Sequence, residues 1–101
     1  MISIFKKDDD RYLSWCEENQ EGYIFNNFGG VDGGYNKLHQ CSCRTLWREK
    51  DKGSRTAVEK VCSESLEELS ALASAIRGHD RGWTFCKICL SHLFIKKGRE
   101  G

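Results

Sequence analysis

The sequence predicts a small α+β domain in which two helices pack against a small antiparallel sheet, followed by a C-terminal segment with a closely spaced cysteine pair. Two helical patterns flank three runs rich in aromatic and β-branched residues, which are typical of strands. A chain of 101 residues is also too short to build two hydrophobic cores. We therefore expect residues 1–101 to form one domain.

The first helix is predicted to run from Asp9 or Asp10 to about Gln20. An aspartate is a good N-cap, because its carboxylate accepts hydrogen bonds from the free N–H groups of the first turn. Gly22 stands just beyond the expected end, where a left-handed residue often terminates a helix. The side chains expected on its apolar side are Tyr12, Leu13 and Cys16.

Three strands are predicted after this helix, at residues 23–28, 36–43 and 56–62. The glycines of residues 29–34 make the connection between the first two strands flexible, so that the second strand is expected to return antiparallel to the first. Residues 44–55 are strongly basic and read as a loop.

The second helix has the clearest pattern in the chain. Ser65 followed by Glu68 forms a capping box, and Gly78 supplies the left-handed C-terminal residue. An apolar stripe at helical spacing is expected to face the sheet, with the glutamates of the first turn in solvent. The stripe consists of Leu66, Leu69, Leu72, Ala73 and Ile76.

Composition excludes wholesale disorder and a membrane-spanning chain. The sequence is 39% hydrophobic and 31% charged, and no stretch approaches the roughly 20 apolar residues of a transmembrane helix. The first ten residues do not resemble a secretion signal, so we expect a cytoplasmic protein whose six cysteines are reduced. Clustered thiols in that compartment are more often metal ligands than disulfides.

Cys86 and Cys89 form a CxxC pair, whose spacing allows both sulfurs to bind one ion as in a zinc knuckle. His39 and Cys43 are the best candidates for the other two ligands, because residues four apart share a face in a helical turn and in an extended segment. These four residues would complete a closed Cys₃His zinc site, which is structural.

Other ligand sets and other uses of the cysteines stay open. Cys41 would join the site only if its segment is extended, and His92 would replace His39 only if the chain after the CxxC pair is helical. Cys62 stands alone at a strand end, and Cys62 and Cys16 are also explained as small buried hydrophobes. A redox role for the CxxC pair is less favoured, because no thioredoxin-like βαβ unit precedes it.

Basic residues cluster in the same two segments that hold most of the cysteines. Residues 36–62 carry seven basic and three acidic side chains, and residues 77–101 carry six and two. If a shared metal joins these segments, their cations would form one face that suits a nucleic acid, with Tyr35, Trp83 or Phe85 also available to stack on bases. The expected contacts are Arg44, Trp47, Arg48, Lys50, Lys52, Arg55, Arg81 and Lys87.

Four blocks of the sequence occur together in the order and spacing of a known type of domain: DRYLSWCEENQEGYIFN, LHQCSCRT, KVCSESLEELSAL and CKIC. They include His39 and Cys43 ahead of an Arg-Thr pair, and Cys86 and Cys89 at the end. On these blocks, residues 9–89 resemble a small Cys/His-containing bacterial domain associated with restriction-type and phage-defence proteins. The resemblance implies a defence context but no particular reaction. Cys41 falls outside its pattern.

A non-catalytic, zinc-stabilised module that binds nucleic acid, and DNA in particular, is the function best supported by these observations. One alternative is a protein-interaction adaptor of a defence complex, with Glu64, Glu67 and Glu68 as its acidic surface. The other is a small metal-dependent, nuclease-like enzyme. An enzyme is less favoured because the acids lie mostly in helix caps and the N-terminal run, and Asp80 is the only one near the expected metal segment.

Overall fold

A five-stranded sheet forms the centre of the structure. The structure is a computed structural model and describes residues 1–29, 35–78 and 82–93. Its strands are β1 (Ser3–Phe5), β2 (Tyr23–Asn27), β3 (Lys37–Gln40), β4 (Glu59–Ser63) and β5 (Thr84–Phe85). Helices α1 (Asp9–Glu18) and α2 (Leu66–Arg77) pack with this sheet in the described part of the chain. Among the described residues, no helix is long and apolar enough to cross a membrane.

The strands lie in the order β1-β4-β2-β3-β5. All neighbouring pairs are antiparallel except the pair of β3 and β5, which is parallel. The α+β class predicted from the sequence is therefore confirmed, but the sheet is mixed rather than wholly antiparallel. Strands β1 and β5 are not predictable from the sequence pattern, because strands of three and two residues are too short to show a hydrophobic period.

Helix α1 begins with an aspartate cap, as expected, although the capping residue is Asp8. Its carboxylate accepts a hydrogen bond from the backbone N–H of Arg11 at 3.4 Å. The helix ends at Glu18, two residues before the predicted end, where Asn19 leaves the helical conformation. Tyr12 and Cys16 are its buried residues, whereas Leu13 is partly exposed to solvent.

Helix α2 has the boundaries that its capping residues predict. The Ser65 hydroxyl accepts from the backbone N–H of Glu68 at 3.2 Å, and Gly78 ends the helix in the left-handed region with φ 82°. The buried stripe is narrower than expected, because only Leu69 and Ala73 are fully buried and Ile76 is 36% exposed. Ile76 was therefore wrongly assigned to the stripe.

Both faces of the sheet are covered, so that the hydrophobic core has two parts. Alternate side chains of a strand point to opposite faces, and the neighbouring β2 residues Ile24 and Phe25 accordingly enter different parts. On the α1 side, Ile24 packs with Phe5, Tyr12 and Cys62. On the α2 side, Phe25 packs with Leu38, Val61, Leu69, Ala73 and Trp83.

The basic segment between β3 and β4 is more ordered than the predicted loop, since it contains three short 3₁₀ turns, at Arg44–Leu46, Glu49–Asp51 and Arg55–Ala57. Asp9 fixes the far end of this segment. The Asp9 carboxylate accepts hydrogen bonds from the backbone N–H groups of Arg55 at 3.0 Å and Thr56 at 2.8 Å. Thr56 is fully buried and also accepts, through its hydroxyl, from the N–H of Asp8 at 2.7 Å. The predicted strand at residues 56–62 consequently begins only at Glu59.

We expect Leu69→Ala to destabilise the domain by about 2 to 5 kcal/mol, because it removes a fully buried side chain from the contact between α2 and the sheet. Ile76→Ala on the same helix should cost less than Leu69→Ala, and Glu67→Ala on its exposed side should cost about 0.5 kcal/mol or less. Urea unfolding of the metal-loaded proteins measures all three changes. Equal losses for Leu69→Ala and Glu67→Ala would show that the packed face has been misassigned.

We also expect Asp9→Ala to destabilise the domain at neutral pH. Burial opposes ionisation of Asp9, but hydrogen bonds from Thr56 and Arg55 outweigh it and lower the pKa of the carboxyl below its ordinary value of 3.8. A lowered folded-state pKa means that the stabilisation is fully present above that ordinary value and is lost as pH falls through the folded-state pKa. At pH 7 the Asp9→Ala variant should therefore have a free energy of unfolding about 1 to 3 kcal/mol below that of the unchanged protein, as measured by urea unfolding. Asp10→Ala, at an exposed neighbour, is the control; equal effects would contradict the prediction.

Candidate metal centre

Four side chains that can bind a metal ion meet at one edge of the sheet. One ligand atom from each of them lies within 4.8 Å of all the others. The residues are His39, Cys43, Cys86 and Cys89, the set that the sequence predicts as ligands. All except Cys89 are buried.

The parallel pairing of β3 with β5 brings the two halves of this group together. Leu38 is opposite Phe85 in the register, and the backbone N–H of Cys86 donates to the carbonyl of Leu38 at 2.9 Å. His39, the next residue of β3, and Cys86, the residue that follows β5, are therefore held side by side. These two ligands are separated by almost half of the chain, so the contact depends on the sheet.

Cys43 reaches the site through a turn, and not by sharing a face with His39 in the way the sequence reasoning supposed. Strand β3 ends at Gln40, whose carbonyl accepts a hydrogen bond from the N–H of Cys43 at 3.0 Å. Cys43 then precedes the 3₁₀ turn Arg44–Leu46. The chain thus bends back after the strand, which places the Cys43 sulfur 3.9 Å from the sulfur of Cys86.

The segment with the CxxC pair folds around the sulfur of Cys86. The backbone N–H of Ile88 donates to this sulfur at 3.4 Å, and the N–H of Leu90 donates to the carbonyl of Cys86 at 2.9 Å. The sulfur of Cys89 accepts from the backbone N–H of Gln40 at 3.3 Å. Backbone donors of this kind stabilise a sulfur that carries negative charge.

The electrostatics of two ligands favour the protonation states that metal binding requires, whereas burial raises the pKa of a third ligand, Cys89, to about 12. Burial lowers the pKa of His39 to about 4, with the positive charges of Lys60 and Lys37 adding to the effect, so the imidazole is neutral at pH 7. Burial opposes ionisation of Cys86, but the N–H groups of Cys89 and Ile88 outweigh it and lower the pKa of the thiol. A neutral imidazole and a thiolate are the forms that bind metals.

The polar neighbours of His39 hold its ring in place. The Thr45 hydroxyl lies 3.0 Å from the Cys43 sulfur and 3.5 Å from Nδ1 of His39. On the other side of the ring, the side-chain amide of Asn26 lies 3.3 Å from Nε2. Such polar contacts orient the ring of a metal-binding histidine.

The remaining cysteines belong to the core on the α1 side. Cys41 is buried beside Cys16, and its thiol lies 3.9 Å from the Cys16 carbonyl. Burial, together with the nearby Cys41, raises the pKa of Cys62 to about 12, so Cys62 is a neutral packed thiol. His92 is exposed and is not among the grouped ligand atoms. The structure therefore gives no support to Cys41, Cys62 or His92 as replacement ligands.

The structure separates the predicted nucleic-acid contacts into exposed cations and packed residues. Arg48 and Lys87 come together, since both line a cavity of about 340 Å³ beside His39 and Cys86. Trp47 instead stacks on Tyr12 with ring centroids 5.8 Å apart. The other exposed cations among the predicted contacts are Arg44, Lys50 and Lys52, whereas Arg81 lies outside the described residues.

Packing explains why Trp47 and Arg55 differ from the other predicted contacts. The indole N–H of Trp47 donates to the carbonyl of Cys41 at 2.7 Å, and the Arg55 guanidinium lies over the indole at 5.2 Å from its centre. Arg55 also donates to the carbonyl of Arg48 at 3.5 Å. Trp47 thus holds the basic segment against α1, and Arg55 packs within that segment, so that both side chains are poorly placed to contact a ligand.

Lys37 lines the same cavity but was missed by the sequence analysis. It lies two residues before His39 in β3, so that both side chains point to the same face of the sheet. Strand alternation was the signal that would have identified it.

Comparisons of the chain with protein-family models, curated proteins and solved structures found no significant match.

Replacing Cys86 or Cys89 with Ser should abolish stoichiometric metal binding and destabilise the domain strongly, because the free energy of metal binding at such a site is also folding free energy. Elemental analysis of protein purified without added metal, followed by thermal unfolding with and without chelator, measures both effects. Cys41→Ser is the matched control, since it alters a buried thiol outside the group and should keep the metal. Metal-free wild-type protein of unchanged stability would refute the assignment.

Proposed function

We propose that this chain is a non-catalytic, zinc-stabilised module that binds nucleic acid. The observation that carries the proposal is the cavity of about 340 Å³ beside the candidate metal centre, in which cations from three separate segments converge. These cations are Lys37 of β3, Arg48 of the basic segment and Lys87 of the CxxC segment. The same folding that brings the metal ligands together thus concentrates positive charge around a concave surface.

Zinc is the metal that fits the ligand set best. Three thiolates and one imidazole form a soft, four-coordinate set of the kind used in structural zinc sites. Zinc-sulfur bonds of about 2.3 Å in a tetrahedron separate two sulfurs by about 3.8 Å. The 3.9 Å between the sulfurs of Cys43 and Cys86 agrees with that spacing.

A closed site supports a structural role for the metal. Four protein ligands fill the coordination sphere of zinc and leave no position for a reactive water. Binding is therefore preferred to the nuclease-like alternative.

The cations of the cavity are available to a ligand. Within the part of the chain that the structure describes, Lys37, Arg48 and Lys87 form no ion pair with a carboxylate. Among these described residues no carboxylate neutralises the three charges, and a phosphate group is the natural partner for such a concave cluster. The exposed Arg44, Lys50 and Lys52 extend the positive surface along the basic segment.

The setting of this activity is part of the proposal. The four sequence blocks that resemble a restriction-type or phage-defence domain favour a bacterial defence context, in which DNA is the expected partner. The six cysteines are unpaired thiols, which favours the reducing cytoplasm.

The affinity of the metal-loaded protein for nucleic acid should fall steeply with salt, because each neutralised phosphate releases counterions. On duplex DNA each contact contributes a slope of about −0.9 in log K against log salt, so Arg48→Ala combined with Lys87→Ala should flatten the slope by about two. Fluorescence anisotropy of a labelled oligonucleotide across a salt series measures the slope. Lys6→Ala combined with Arg11→Ala is the control, because these exposed cations lie outside the cavity.

The result that would refute the nucleic-acid proposal is an absence of binding to both DNA and RNA by metal-loaded protein at low salt. A protein partner would then be the better hypothesis, with Glu64, Glu67 and Glu68 at the start of α2 as the surface to test. Full retention of the metal in the same sample would show that the failure concerns the partner and not the metal centre.

A further inference from the structure

An exposed aromatic ring at the rim of the cavity stacks on a second exposed ring outside it. Tyr35 lines the cavity and is 62% exposed, and Phe28 is 60% exposed. Their rings stack on each other with centroids 5.5 Å apart and planes 29° apart. We call this pair the aromatic platform. Contiguous exposed apolar surface of this kind is typical of binding sites, because its burial against a ligand is favourable.

The platform differs from the other aromatic residues that the sequence offered for base stacking. Trp83 is buried, packs edge-on against Phe25 and Phe85, and donates its indole N–H to the Ser74 hydroxyl at 2.9 Å. Trp47 is packed against α1. Tyr35 is thus the candidate whose ring is open to solvent beside the converged cations.

The floor of the cavity is polar and belongs to one face of the sheet. Asn26 of β2 and His39 of β3 line it, together with Thr45 from the turn that follows. The ammonium group of the buried Lys60 on β4 donates to the Asn26 side-chain carbonyl, which adds a further positive charge beneath the cavity. The site therefore combines cations, hydrogen-bonding groups and an aromatic rim in one concave surface.

We infer that the cavity accommodates one unstacked nucleotide of a single-stranded nucleic acid, with a neighbouring base stacked on the aromatic platform. This inference rests on the proposed function and specifies its partner. Single-strand binding proteins use this combination: cations follow the phosphates, while aromatic rings stack on exposed bases. The phosphate would lie among Lys37, Arg48 and Lys87, at the rim next to Tyr35.

A duplex fits this arrangement less well than a single strand. In a duplex the bases are stacked on one another and paired, so that a ring at the protein surface meets sugar, phosphate and base edges but not the face of a base. Reaching Tyr35 and the recessed floor at Asn26 would require a base to leave the stack, which costs a few kcal/mol per base. In a single strand most of that cost is absent, and the free face of a base is available to the platform.

The test compares a short oligothymidine strand with a hairpin duplex of similar charge, using the metal-loaded full chain and fluorescence anisotropy. We expect at least tenfold tighter binding of the single strand. Tyr35→Ala should weaken that binding by about 5- to 150-fold, the range that corresponds to one stacked base, whereas Tyr35→Phe should retain most of it. Ile4→Ala, at an exposed apolar residue that lines a different pocket, is the matched control and should have no effect.

A second measurement keeps the inference testable if Tyr35→Ala does not fold. Photo-crosslinking of a wild-type complex with a strand that contains 5-iodouracil should give an adduct that mass spectrometry maps to Tyr35 or Phe28. Adducts confined to residues away from the platform would overturn the inference.

The outcomes separate this inference from the proposed function. Salt-dependent binding in which the duplex is bound as tightly as the single strand, or in which Tyr35→Ala changes nothing, would refute the single-strand platform but leave nucleic-acid binding in place. No binding of either probe would refute both. A preference for the single strand that disappears with Tyr35→Ala, while Ile4→Ala retains it, would support both.

Discussion

The parallel pairing of β5 with β3 is the contact on which the rest of the site depends. Two residues of β5 are enough to place Cys86 next to His39, because the register opposes Leu38 and Phe85. The turn after β3 then supplies Cys43, and the CxxC spacing supplies Cys89. A metal ion bound there would in turn hold β5, whose two residues could not keep this edge position through backbone hydrogen bonds alone.

The position of the basic segment follows from the same arrangement. At its start the segment is tied to the metal centre through Cys43, and at its end Asp9 holds the backbone of Arg55 and Thr56. Between these points Trp47 packs on α1. The exposed cations are thereby presented from an ordered backbone, which reduces the entropy lost when a ligand binds.

The face of the sheet that meets α1 serves two purposes. One part carries apolar side chains, such as Ile24 and Cys62, and is buried under the helix. The other part carries Lys37, His39 and Asn26, which form the edge and floor of the cavity. Because alternate residues of a strand share a face, the apolar packing of Ile24 also determines that Asn26 points toward the cavity. Stability and the proposed binding surface are thus coupled through strand register.

The sequence by itself determined the features that depend on neighbouring residues. Ser65 and Gly78 define the ends of α2 because capping bonds join residues only a few positions apart, and the CxxC spacing places two sulfurs within reach of one ion. Tertiary structure decided the rest: the pairing of β5, the packing of Trp47 and Arg55, and the open position of Tyr35. These three features depend on contacts between residues far apart in the chain. Many alternative contacts have similar energies, and a short segment carries no periodic signal that would identify the correct one.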